Sequence, residues 1–186
     1  MRKVIAAINM TLDGVCDHTA VDADAELHQH YADLLSNAGV ILYGRVTYQL
    51  MEFWPTVVAN PTGVKATDEF AAIMDLVPKI VFSRTLPPPA WQSASLASGG
   101  LEEEVLALRQ LPGKDIYIGS RSLIIQLMKL GLIDELQLCV HPVVAGGGLP
   151  LFENINDRIA LKLIKTKTFS SGAVTLYYER RKEALE

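Results

Sequence analysis

The sequence predicts an α/β fold: three αβα layers around a mostly parallel central sheet, closed by a C-terminal antiparallel hairpin. Three observations predict it. Short apolar runs alternate with amphipathic helical patterns along most of the chain, as in strands joined by crossover helices. The runs Val40–Tyr43, Lys79–Phe82 and Asp115–Ile118 are largely apolar without alternation, which fits strands buried on both faces. The tail differs: stretches 160–169 and 173–180 flank Ser170-Ser171-Gly172 and read as a hairpin.

The elements follow in order. Lys3–Asn9 is a β-rich apolar run, and the turn sequence MTLDG follows it. Asp24–Asn37 carries Leu27, Tyr31, Leu34 and Leu35 at helical spacing, and Gly39 ends it. After the Val40–Tyr43 strand, Gly44 and Arg45 open a helical pattern that runs to about Phe53, with Trp54-Pro55 expected as its stop. Thr67–Leu76 is helical and Lys79–Phe82 a strand. Pro87-Pro88-Pro89 is a rigid extended loop, not a domain linker. Leu101–Leu111 is helical and stops at Pro112-Gly113; Asp115–Ile118 is a strand, Ser120–Leu130 a helix, Glu135–Val140 a strand, and 141–150 a glycine-rich loop. The whole chain, 1–186, reads as one domain.

Composition narrows the function classes. A net charge of −4 with no basic run gives nucleic acid nothing to bind. The apolar stretch at the N-terminus is too short to span a membrane and lacks the pattern of a secretory signal, so a cytoplasmic protein is expected. The two cysteines, Cys16 and Cys139, stand far apart and read as reduced residues. His28 and His30 face different directions on a helix, and His18 and His141 lack neighbouring ligands, so no metal site is expected. No serine sits in a G-x-S-x-G elbow.

The informative feature recurs at three strand ends. Val40–Tyr43 leads into Gly44-Arg45-Val46-Thr47, Lys79–Phe82 into Ser83-Arg84-Thr85, and Ile116–Ile118 into Gly119-Ser120-Arg121-Ser122. Parallel strands put these ends on one sheet edge, where open α/β sheets bind ligands. Small residues admit a phosphate close to the backbone, helix N-termini offer free N–H groups, and arginine supplies a planar charged fork. Singly, each is an ordinary turn with a solvated charge. Together they describe a site for a ligand with several phosphates. Neither the Rossmann spacing nor a P-loop is present, so another geometry must hold it.

In order, the segments MTLDG (10–14), ILYGRVTY (41–48), KIVFSRTL (79–86), 115–136 and HPVVAGGGLPLF (141–152) resemble the dihydrofolate reductase-like superfamily. The resemblance is nearer to the reductase domain of the bifunctional riboflavin-biosynthesis deaminase/reductase and its free-standing bacterial relatives. The zinc-binding deaminase motif has no counterpart here. The resemblance implies NADPH lying across the carboxyl edge of the sheet. Gly44, Arg45 and Thr47 would hold its phosphates. Ser83 and Arg84 would sit by the adenosine ribose, with Arg84 on the 2′-phosphate. Gly119, Ser120, Arg121 and Ser122 would form the turn under the pyrophosphate, and Ala7 would lie near the nicotinamide. It also implies a homodimer, with the C-terminal hairpin as a contact. Two departures stand out. Ser120 follows Gly119 where the family often has consecutive glycines, and none of Asp22, Asp24, Glu26 and Asp33 matches the acidic residue by which folate reductases bind the pterin.

Asp13, in the loop after the first strand, is the candidate for contacting the substrate or ordering a proton-donating water; its other reading is a turn aspartate before Gly14. Trp54 is a candidate wall of the substrate pocket or a helix-end core aromatic. Gly146–Gly148 line the substrate end of the cleft or form a surface turn. The function expected is NADPH-dependent reduction of a small heterocycle or carbonyl compound: a pterin, a ribosylaminopyrimidine or a flavin-pathway compound. The alternative is a nucleotide-binding protein that uses the same cleft without turnover.

Overall fold

The computed structural model describes residues 1–181. The chain runs β1 (Val4–Thr11), α1 (Ala25–Ser36), β2 (Ala38–Gly44), α2 (Arg45–Met51), α3 (Trp54–Ala59), α4 (Lys65–Leu76), β3 (Lys79–Phe82), β4 (Ala94–Leu96), α5 (Leu101–Gln110), β5 (Asp115–Ile118), α6 (Arg121–Lys129), β6 (Glu135–His141), β7 (Leu161–Thr168) and β8 (Val174–Arg180). The strands form one sheet in the order β4-β3-β2-β5-β1-β6-β8-β7. Pairing is parallel from β4 through β6 and antiparallel between β6 and β8 and between β8 and β7.

The side-chain period of two divides the core. On one face Val4, Ala6 and Ile8 of β1 join Leu42 and Ile118 beneath Val105 of α5 and Leu123, Ile124 and Leu127 of α6. On the other, Ile5, Ile41, Tyr43 and Tyr117 meet Leu35 of α1 and Phe70 and Met74 of α4. Strands covered on both faces cannot alternate apolar with polar residues, which explains their continuous apolar runs. Asp24 caps α1 by accepting the Leu27 N–H at 2.8 Å.

Several boundaries differ from the sequence expectation. Trp54-Pro55 does not end a helix but begins one: α2 stops at Met51, and Pro55 stands in the first turn of α3, where its missing N–H costs nothing. β4 was not expected; three residues are too few to show a period, and the strand exists because its register on β3 pairs Ala94 with Lys79 and Leu96 with Val81. Lys79 anchors that edge. Its buried ammonium donates to the carbonyls of Met74 and Val77 and to Ser93 Oγ, and lies 3.9 Å from the centre of the Trp91 ring. It thereby caps the C-terminal end of α4.

The middle of α1 carries a pH-sensitive packing contact. His30 is 8% exposed and packs against Tyr31 and Phe169, with ring centres 5.3 and 5.2 Å away. Burial first, and then the Lys167 charge, pushes its pKa from 6.5 down to about 4. The unfolded chain therefore binds a proton at this residue that the folded one refuses, so stability is lost as the pH falls from 6.5 to about 4. His30→Phe should flatten that loss by an amount on the order of 2 kcal/mol. Urea unfolding of both proteins at neutral pH and near the lower limit measures it; parallel losses would contradict the assignment.

Candidate active site

A cavity of about 700 Å³ opens at the carboxyl edge of the sheet, on the face covered by α1 and α4. Ala7 and Asn9 of β1 and Tyr43 of β2 form its floor. His28 and Tyr31 of α1, three residues apart, share a wall with Trp54 and Phe70. The Trp54 ring meets Phe70 edge-on at 4.5 Å, and His28 stacks on Phe70 with centres 5.7 Å apart. Trp54 is thus both a pocket wall and part of the core beneath it.

The first of the three strand ends and the third are fastened to each other. The Gly44 amide donates to Ser120 Oγ at 2.9 Å, and Ser120 is fully buried. Ser120 is the N-cap residue of α6, yet its side chain does not cap that helix. The serine in place of a glycine therefore braces the two strand ends and leaves the first N–H groups of α6 to the cavity. A Cβ on Gly44 would come within 3.2 Å of Ser122 Oγ, a tight contact that glycine avoids. Gly119 lies over Tyr43 and the Ala7 carbonyl.

Of the residues expected at the site, Ala7, Thr47, Trp54, Gly119, Arg121 and Ser122 line the cavity, and Gly44 and Ser120 are buried beside it. Arg121 is engaged: its Nε donates to the Pro150 carbonyl at 2.7 Å, and it pairs with Glu153 at 2.7 Å. Arg45 and Arg84 are exposed and outside the lining. Ser83 Oγ accepts the N–H groups of Thr85 and Leu86, which shapes the turn that carries Arg84.

Asp13 is likewise outside the lining. Its carboxylate accepts from Thr11 Oγ1 at 2.5 Å and from the amides of Ala145 and Gly146 at 3.0 and 2.9 Å. These bonds, the Thr11 hydroxyl first, lower its pKa to about 2. With the Cys16 amide donating to Leu149 and the Leu151 amide to Gly14, Asp13 ties the loop after β1 to the glycine-rich loop. Gly146–Gly148 belong to that clasp and not to the lining, with Gly146 at φ +73°.

Three polar residues beside the cavity were not singled out from the sequence. Asn9 Oδ1 accepts from Tyr31 Oη at 3.1 Å and lies 3.1 Å from His141 Nε2. Burial raises the Tyr31 hydroxyl well above its usual range and lowers His141, so both are neutral near pH 7. A polar Asn9 closing the apolar run of β1 was the available signal. The acidic residues near α1 do not reach the cavity: Asp24 caps the helix, Glu26 binds Ser170, Asp33 binds Gln29, and Asp22 is exposed outside the lining. Among the described residues, no three His, Cys, Asp or Glu side chains gather as a metal-ligand set, and no helix is long and apolar enough to cross a membrane.

Comparison with known proteins places this geometry. The chain is 36% identical to the uncharacterised protein YyaP of Bacillus subtilis, over 95% of this chain and 94% of that one. In fold it is similar to a putative riboflavin biosynthesis protein from Shewanella sp. PV-4, with a TM-score of 0.72 at 20% identity, covering 98% of this chain and all of that one. It is also similar to a pyrimidine reductase-like protein from Corynebacterium diphtheriae, with a TM-score of 0.71 at 19% identity, over 98% and 93% of the two chains. The architecture is the dihydrofolate reductase-like one. Residues 2–175 match the RibD C-terminal domain, and the chain belongs to that family.

Proposed function

We propose that this protein is an NADPH-dependent reductase of a small heterocyclic or carbonyl substrate bound in the cavity beside Ala7. The observation that carries the reading is the start of α6, where an uncapped helix N-terminus follows Gly119 directly and opens onto a cavity large enough for a nicotinamide and a second ring. These residues fit the group. The α6 amides and Ser122 would hold the pyrophosphate, with Thr47 across from them. Arg45 and Arg84, exposed at the ends of β2 and β3, are free to meet phosphate, and Arg84 the 2′-phosphate above all. Bound NADPH supplies the hydride; the protein contributes orientation and a partly dehydrated, largely apolar site.

Asp13 acts in this reading through position. A carboxylate ionised at all working pH values gives no proton, but it holds the loop after β1 closed over the cavity. The likeness to a putative riboflavin biosynthesis protein of Shewanella and a pyrimidine reductase-like protein of Corynebacterium supports a heterocycle of riboflavin biosynthesis as one substrate class to test. A homodimer through the C-terminal edge is supported by β7, where Leu163 and Ile164 are about half exposed on an outer strand.

Titration with the two reduced nicotinamides, read by their fluorescence, tests the core of the proposal. Wild-type protein should prefer NADPH, and Arg84→Ser should weaken NADPH about tenfold while leaving NADH nearly unchanged. Equal loss for both would remove the 2′-phosphate assignment, and absence of binding would remove the reductase reading. Asp13→Asn should keep NADPH affinity and lower turnover by about fivefold to tenfold, without moving the acid limb of the pH–rate profile. A shifted acid limb would make Asp13 a proton-transfer group instead.

A further inference from the structure

The substrate end of the cavity is neutral and aromatic. Among the described residues that line it there is no lysine, one arginine and one aspartate. The arginine, Arg121, opens α6, where the pyrophosphate would lie in the reading above, and is held by the Pro150 carbonyl and Glu153; the aspartate, Asp17, accepts from the amide and hydroxyl of Thr19. The acidic residues of α1 all point elsewhere. A phosphate or carboxylate on the substrate would therefore enter with no partner, which is costly in an apolar pocket.

The hydrogen-bonding groups that do face this end are also neutral. Asn9 Oδ1 takes both Tyr31 Oη and His141 Nε2, which fixes the orientation of the carboxamide. Its Nδ2 has no partner among the described residues, and Asn9 lines the cavity. A fixed N–H donor in the same cavity as a wall of His28, Trp54 and Phe70 suits the carbonyl oxygen of a flat ring that stacks on that wall. Unlike a carboxylate, it gives no advantage to a cationic or amidine-like edge.

We infer that Asn9, oriented by Tyr31 and His141, is the recognition group of a subsite for a flat, uncharged aromatic carbonyl compound, with the His28–Trp54–Phe70 wall holding the ring. The inference rests on the reductase reading. In that reaction the ring system takes a hydride from NADPH, the C=O π pair moves onto oxygen, and solvent protonates that oxygen; NADP⁺ is the second product. Asn9 touches the substrate, whereas Tyr31 and His141 are positioning residues.

Calorimetric titration without cofactor provides the test, with 2-methyl-1,4-naphthoquinone as the uncharged probe and 1,4-naphthoquinone-2-sulfonate as its charged counterpart. The wild type should bind the uncharged quinone at least about tenfold more tightly than the sulfonate. Asn9→Leu, similar in size but without the donor, should lose most of that affinity, and Tyr31→Phe should lose about fivefold by freeing the carboxamide to rotate. Both variants should keep wild-type NADPH affinity, and thermal unfolding confirms that they are folded. Equal binding of the two quinones, no binding of the uncharged quinone, or unchanged affinity in Asn9→Leu would overturn the inference while NADPH binding left the reductase reading standing. Loss of NADPH binding by the wild type itself would overturn that reading instead.

Discussion

The parallel ladder that sets β2, β5, β1 and β6 side by side is the constraint from which the site follows. Parallel strands end on one edge, so the residues after them are brought together however distant in sequence. The ladder alone does not set their spacing. The bond from the Gly44 amide to Ser120 Oγ does, by joining the end of β2 to the end of β5 across buried backbone. An unpaired amide there would be costly, and a capped α6 would have fewer free N–H groups. One hydroxyl meets the first need and avoids the second.

The opposite rim is held by the clasp between the loop after β1 and the glycine-rich loop. Asp13 contributes its side-chain carboxylate to that clasp, and Gly148 passes so close to Val15 that a Cβ would lie 2.8 Å from it. Glycine is thus needed there for packing as well as for its φ of +127°. The cavity is enclosed between this clasp and the aromatic wall of α1, α3 and α4. It is lined mainly by apolar and neutral polar groups, and its charged lining residues, Asp17 and Arg121, are engaged by Thr19 and by Pro150 and Glu153. Such an interior strengthens the few hydrogen bonds made inside it and disfavours a charged substrate without a partner.

The sequence showed the three recurring strand ends because they are local: a strand, a small residue and an arginine within a few positions. Gly44, Thr47, Gly119, Ser120, Arg121 and Ser122 accordingly lie in or beside the cavity, while Arg45 and Arg84 lie outside its lining. It did not show Asn9, Tyr31 and His141, which come from β1, α1 and β6 and meet only when those elements pack. Nor did it show that Arg121 already has Glu153 as a partner, or that the Asp13 carboxylate reaches across to residues 145 and 146.

By itself, the sequence determined the layer architecture, the direction of the sheet and the edge at which the cavity opens. Hydrophobic period, turn residues and strand-to-helix transitions are written within short windows and depend on backbone sterics and burial, which act locally. Tertiary structure alone decided which polar groups face the cavity and which are taken up in holding loops together. A hydrogen bond needs its partners within about 3 Å, and for pairs more than a hundred residues apart that distance exists only after the sheet has formed.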